Sequence, residues 1–217
     1  MINFPKSTEF NKKIAKQKFY NKLQVSSRLE RQFVKEIDNI YWKNKLSAET
    51  LNVNEGSSVK EIEIIEINLK EKNIGQNIME FIDREIPYHI VFILRYEQLG
   101  QIYISYKEDS KSRQAKFKVD SYFKTGWVDY NDLSLKINGL NLDKIYENFI
   151  IQVAEDKLPI ENSKDLKEAV SISKDRDKLL AYADSLENKI KNEKQFNIQV
   201  KLAAELREVK NQLKEFI

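Results

Sequence analysis

The apolar positions along the chain change period several times, and each change predicts an element. Phe10, Ile14, Phe19 and Leu23 fall at helical spacing and predict a basic helix over residues 8–23. Ser26 and Ser27 each offer an N-cap, and Ser27-Arg28-Leu29-Glu30 has the form of a capping box, in which hydroxyl and carboxylate satisfy each other's backbone N–H groups. Leu29, Phe33, Ile37, Ile40 and Tyr41 then share one face and predict an amphipathic helix through about Leu46. Asn54-Glu55-Gly56-Ser57-Ser58 is a turn cluster. Beyond Val59 the period drops to two. Ile62 and Ile64 alternate with charges, and Ile65, Ile67 and Leu69 continue in the opposite phase. A bulge near Ile64–Ile65, or burial on both faces, accommodates both sets.

Helical spacing returns at Ile74, Ile78, Phe81, Ile82 and Ile86, and Pro87 ends it. Ile90-Val91-Phe92-Ile93-Leu94 is short, continuous and branched, as expected of a central strand covered on both faces. A hairpin turn is predicted at Leu99-Gly100. Strands follow at Ile102/Ile104/Tyr106, at Phe117/Val119/Phe123, and at Leu133/Leu135/Ile137. Asn138-Gly139 is a turn, and Leu142, Ile145, Phe149 and Val153 predict a helix packed back on the sheet.

Pro159 to Ser163 reads as a linker. The rest lacks Gly, Pro and any strand signal. Leu179, Ala183, Leu186 and Ile190 form one heptad stripe; Leu202, Leu206, Val209, Leu213 and Phe216 form another. The twelve residues from Ile190 to Leu202 turn a straight helix about 120° off the first stripe. A break near Asn192 gives an antiparallel hairpin whose stripes face each other; one long dimerising helix is the alternative. The fold expected is α+β: a helical basic N-terminal part, a mixed or antiparallel sheet flanked by helices, and a C-terminal helical hairpin or coiled coil. The expected domains are 1–158 and 163–217.

Composition narrows the chemistry. With 217 residues the chain can bury a substantial core. It has no cysteine, which removes disulfides, Cys-ligated zinc, Fe–S clusters and thiol nucleophiles. A single histidine makes a His-based metal cluster or a Ser-His-Asp triad improbable. No apolar run approaches the roughly 20 residues that span a bilayer, and Met1-Ile2-Asn3-Phe4-Pro5-Lys6 lacks a signal-peptide pattern, so a cytoplasmic location is expected. Net charge is +3, but residues 1–50 hold eleven Lys/Arg against five Asp/Glu, and residues 51–162 hold fourteen against nineteen. A basic N-terminal region beside an acidic middle can steer toward phosphates or acidic protein surfaces, or can simply be solvated surface.

Three groups of residues carry candidate chemistry. A metal-dependent nuclease needs an acidic residue and a lysine two apart on a strand, aimed at one Mg²⁺ and one water. Here Asn68 stands two before Lys70, so such a site would be a degenerate one built from Glu63 or Glu66 with Lys70. His89 could serve as a general base, or be a strand-end residue held by a carbonyl. Lys12, Lys13, Lys16, Lys18, Trp42, Lys43 and Lys45 mix cations with an aromatic, as nucleic-acid surfaces do. The phosphate-gripping glycine loops and the esterase elbow are missing. No cofactor is expected, except Mg²⁺ under the nuclease alternative.

Several segments together resemble a known family. They are Ser7 to Ile14 with Lys18-Phe19-Tyr20, Ile40 to Ser47, Glu61-Ile62-Glu63, Ile86 to Ile90, Gly139 to Asp143, and Lys194-Gln195-Phe196-Asn197. The chain is similar across nearly its whole length to an uncharacterised bacterial domain-of-unknown-function family, number 4391. Its members are often encoded beside a helicase and a DNA methyltransferase of restriction-like loci. The resemblance implies an accessory, non-catalytic role in DNA restriction, modification or phage defence, with a helicase or methyltransferase as partner, DNA as a further contact, and no membrane. Leu179, Leu186, Ile190, Leu202, Leu206, Val209 and Leu213 are then the expected partner-binding or homo-oligomerising stripe, since a two-helix hairpin alone buries little.

Overall fold

The computed structural model describes residues 2–20, 25–110, 117–214 and 216. The chain divides into two compact units, Met1–Glu155 and Asp156–Ile217.

The first unit is built on a mixed sheet of seven strands: β1 (Glu9–Ile14), β2 (Ile37–Ser47), β3 (Glu61–Leu69), β4 (His89–Tyr96), β5 (Leu99–Asp109), β6 (Phe117–Lys124) and β7 (Val128–Asp129). They lie in the order β1-β2-β3-β4-β5-β6, with β7 also paired to β5. Among the described strands only β3 and β4 pair in parallel. The connection between them is the helix α4 (Gln76–Glu85), since parallel neighbours need a crossover. Short helices α1 (Gln17–Tyr20), α2 (Ser27–Glu36) and α3 (Ala48–Leu51) lie before β3, and α5 (Leu142–Ala154) follows the sheet.

Alternation sorts the core into two layers. On one face Ile65, Ile67 and Leu69 of β3 pack with Ile90, Phe92 and Leu94 of β4, with Phe33 of α2, and with Ile78, Met79, Phe81 and Ile82 of α4. On the other face Ile62, Ile64, Val91, Ile93, Ile102 and Ile104 are equally buried, and α5 covers them with Ile145, Phe149 and Ile150. Both phases of β3 are therefore core. The irregularity expected near Ile64–Ile65 sits on the partner strand, where the register slips between Trp42 and Asn44. β4 is the doubly covered central strand that its composition predicts.

The N-terminal expectations need correction. Phe10 and Ile14 lie in the edge strand β1, and only Gln17–Tyr20 is helical; Leu23 falls outside the described residues. The strand carries an extra residue between Glu9 and Lys12, with Asn11 at φ 46°, which destroys a clean alternation. Likewise the second expected helix stops at Glu36, and Ile37 to Ser47 form β2. Asp38 and Asn39 are poor helix formers, and the branched and aromatic run Ile40-Tyr41-Trp42 favours a strand. The cap belongs to Ser26, whose Oγ accepts from Leu29 N at 3.3 Å. The turn before β5 is at Glu97–Gln98, one step before the expected Leu99-Gly100. Leu133 and Leu135 are buried, but in irregular extended chain without strand pairing.

The second unit is a helical hairpin. Its helices α6 (Leu166–Asn192) and α7 (Phe196–Lys214) break at Glu193–Gln195. The two stripes face each other: Ala183, Leu186 and Val209 are buried together, with Leu179, Leu202, Leu206 and Leu213 packed around them. Lys210 and Glu187 bridge the helices at 2.7 Å, and the Tyr182 hydroxyl donates to Glu205.

One carboxylate pins the loop that feeds β3. Asp143 Oδ2 accepts from Ser57 N at 2.6 Å and Ser57 Oγ at 2.8 Å, and Oδ1 accepts from Ser58 N at 3.2 Å and Val59 N at 2.8 Å. Burial pushes this carboxyl up, but the donors from Val59, Ser57 and Ser58 outweigh it and hold the group below its usual range. A Cβ on Gly56 would stand 2.3 Å from Asp143 Oδ1, so only glycine fits there. Asp143→Ala should cost about 2 kcal/mol in urea unfolding at pH 7. Because the folded-state pKa is depressed, the wild-type advantage is present above about pH 4 and is lost as pH falls through the folded value. Equal stability of both proteins at pH 7 would contradict this clamp.

Candidate functional site

With both faces of β3 covered, polar side chains in the middle of the strand enter a protein interior, whereas Glu61 at its start and Asn68 near its end are half-buried. Glu63 is 2% exposed and Glu66 5%, on a strand whose other buried residues are Ile62, Ile64, Ile65, Ile67 and Leu69. Being of opposite parity, they leave by opposite faces.

Glu63 lies on the α4 side. It lines a cavity of about 480 Å³ with Ile14, Lys18, Phe19, Trp42, Ile65, Glu85, Ile86, Pro87 and Tyr88. Among the described residues, neither Glu63 oxygen has a hydrogen-bond partner. Burial pushes its carboxyl up to about 7; the Trp42 indole opposes this, Glu61 adds to it, and Lys45 pulls back. In this apolar slot the Trp42 indole is too weak a donor to offset the cost of ionising a buried carboxyl, and that cost sets the shift.

Glu66 lies on the opposite side, where it lines a separate cavity of about 360 Å³ with Lys43, Asn44, Arg95 and Tyr130. The Tyr130 hydroxyl donates to its Oε2 at 2.5 Å, and the Arg95 guanidinium sits 4.4 Å from the Tyr130 ring. Burial, then the Glu66 bond, raises the Tyr130 hydroxyl well above its ordinary value. Lys70 is exposed beyond the end of β3 and donates to Val34 O at 2.8 Å. Glu63, Glu66 and Lys70 thus do not share a site. Among the described residues no group of three or more His, Asp or Glu could hold a metal ion.

His89 starts β4 and is buried. Its ring lies 4.6 Å from Tyr146, edge-on, and 4.5 Å from Phe117. The Tyr146 hydroxyl donates to Ser105 O at 2.6 Å. The imidazole is packed into this aromatic layer, and none of the described cavities includes it.

Pattern reading passed over one cluster. Lys107 of β5 and Asp83 of α4 form an ion pair at 2.7 Å whose side chains are 1% and 0% exposed. Lys107 Nζ also donates to Tyr88 O at 2.7 Å, and the Tyr122 hydroxyl donates to Asp83 Oδ2 at 3.1 Å. Burial lowers the Lys107 pKa, and Asp83 opposes that. Above the pair opens a groove of about 920 Å³, lined in part by Glu80, Tyr103, Tyr122 and Lys124. Burial raises the Tyr103 hydroxyl to about 12, with Glu80 and Asp83 adding to the rise. The ammonium is spent on an ion pair and a carbonyl, so the cluster ties α4 to β5 and offers no nucleophile. The sequence signal for it was a charged residue inside each apolar pattern: Asp83 beside Ile82, and Lys107 in phase with Tyr103 and Ser105.

The basic residues scatter. Lys12 and Lys13 are exposed on the edge strand β1, Lys12 lying over the Phe10 ring at 4.1 Å. Lysines on an edge also discourage pairing with a foreign strand. Lys16 donates to Ile37 O at 2.8 Å, and burial, then Lys70, lowers its pKa. Lys45 pairs with Glu61 at 2.8 Å, which raises its pKa. Trp42 packs against Phe10 at 4.2 Å and donates to Asn44 O at 3.2 Å. Lys43 lines the Glu66 cavity, and Lys18 lines the Glu63 cavity.

In the hairpin, the expected partner-binding leucines form the internal seam. Leu186 and Val209 are buried, and Leu179, Ile190, Leu202, Leu206 and Leu213 are half-buried. The apolar side chains left exposed are others: Leu180, Tyr182, Phe196, Ile198 and Val200.

The model of the family Domain of unknown function (DUF4391) matches residues 2–213, so the chain belongs to that family. Neither the curated proteins nor the solved structures yield a match to it. No described helix is long and apolar enough to cross a membrane.

Removing one partner of a buried ion pair strands the other. Lys107→Met or Asp83→Asn alone should cost about 3–5 kcal/mol in urea unfolding, and the double variant should lose clearly less than the sum. Additive losses would show that the pair is not coupled.

Proposed function

We propose that the chain is a non-catalytic interaction subunit, with the helical hairpin as its docking element, serving a bacterial DNA restriction, modification or phage-defence assembly. Apolar exposure at the start of α7 carries the reading: Phe196 is 74% exposed, Val200 52% and Ile198 37%. Phe196 and Val200 stand four apart and share a helix face. Large exposed side chains clustered this way are typical of interaction sites. Nothing in the hairpin's own seam uses them, because the heptad leucines already close it.

The charge around this patch selects the partner surface. Residues 189–201 contain Lys189, Lys191, Lys194 and Lys201 against the single acid Glu193, and all four lysines are exposed. A protein surface that is apolar at its centre and acidic at its rim fits it. The resemblance to a family whose members are often encoded beside helicase and methyltransferase genes favours one of those two subunits as the partner. Exposed Lys12 and Lys13 on β1 support an auxiliary contact with DNA phosphates.

The test is co-expression with the neighbouring helicase and methyltransferase subunits, followed by co-purification. The double variant F196E/V200E should lose the partner at least tenfold while melting as the wild type does. Undiminished partner recovery by that variant would defeat the docking role.

A further inference from the structure

The Glu63 cavity plays no part in hairpin docking, and its chemistry stands independently of that reading. The slot has an aromatic and aliphatic wall, a carboxyl floor and a cation at its side: Phe19, Trp42, Tyr88 and Ile65 around Glu63, with Lys18 exposed. We propose that this cavity is a binding site for a guanine base, held by two parallel N–H donors on the two Glu63 oxygens.

Three observations carry the assignment. Both oxygens of a side chain 2% exposed lack a well-formed hydrogen bond among the described residues, the nearby Trp42 indole N–H donating instead to Asn44 O at 3.2 Å, which leaves two acceptors to be met by something that enters. A donor pair on one ligand edge meets both at once, as bidentate pairing does elsewhere. The volume, about 480 Å³, lies in the range of small-molecule sites, and the ring-bearing wall suits a flat apolar body. Lys18 adds a cation suited to a phosphate.

Among the common bases, only guanine presents two adjacent N–H donors, N1–H and the 2-amino group, on its pairing edge. Adenine and cytosine offer one donor beside an acceptor, which an ionised carboxylate repels. The base could come from a free guanine nucleotide or from an unstacked position of a single strand; the recognition chemistry is the same.

The test uses the whole chain in isothermal titration with GMP, AMP, CMP and UMP, and with a short single strand carrying one guanine among thymines. GMP should bind saturably, with the other nucleotides at least tenfold weaker, and E63Q should lose that binding. E63Q keeps the shape of the floor and removes a charge that is costly to bury, so it should still unfold cooperatively. Saturable binding of the guanine strand without GMP binding identifies a strand base as the source. Failure of both guanine ligands to bind, or unchanged binding in E63Q, overturns the proposal.

A pH series on the wild type with neutral guanosine gives a second readout that needs no variant. The charged and titratable groups around Glu63 are Lys18 of α1, Lys45 of β2, Glu61 of β3, and Glu85 and Tyr88 at the end of α4 and beyond it. Because guanine requires the ionised carboxylate and the free carboxyl titrates near 7, affinity should rise about tenfold from pH 6 to pH 8. A flat profile, or adenosine binding that tightens as pH falls, overturns the guanine assignment.

Discussion

The constraint on which the sheet unit depends is that β3 has no wet face. Seven of its nine residues are buried, because α2 and α4 cover one side and α5 the other. Such burial is the usual state of a strand next to a parallel crossover, which brings a helix onto the sheet. An isoleucine-rich strand meets this demand at low cost. Its two buried glutamates do not, and each is answered differently. Glu66 has a phenol donating to it, with a guanidinium behind the phenol ring. Glu63 has an apolar slot. The same constraint explains Asp143, which fixes the chain entering β3, and the Asp83–Lys107 pair, which fastens the crossover helix to β5.

Much of this was legible in the sequence, for physical reasons. The short, continuous and branched run Ile90 to Leu94 points to a doubly covered strand, and β4 is one. α4 and α5 keep strict helical spacing over their whole lengths. The twelve-residue offset between heptad stripes favours a hairpin, and the break falls within three residues of Asn192. The N-terminal quarter misled because spacings of three and four also arise by chance across a helix–strand junction. Leu29 and Phe33 belong to α2, whereas Ile37 and Ile40 belong to β2. Bulges in β1 and β2 then removed the alternation that would have exposed the strands.

For the sites, the residue types were visible and their grouping was not. Glu63, Glu66 and Lys70 look like neighbours when written in a line. Parity sends the two acids to opposite faces, and Lys70 ends beyond the strand on a helix carbonyl. Trp42 and Lys18, singled out as nucleic-acid contacts, meet Glu63 around one cavity. That convergence needs β1, β2 and the end of α4 to come together on one side of β3, which no local pattern encodes. The hairpin shows the reverse economy: its heptad leucines close on each other, so what is left for a partner is the short apolar cluster at the start of α7.

The most direct test of the account is the titration of Glu63 itself, followed by side-chain carboxyl ¹³C chemical shifts in the intact protein. A carboxyl buried on a doubly covered strand, with burial outweighing the Trp42 indole, should titrate near pH 7, and the inflection should vanish in E63Q. An inflection in the ordinary glutamate range, near 4.3, would mean that water or a donor reaches Glu63 and that β3 has a wet face after all.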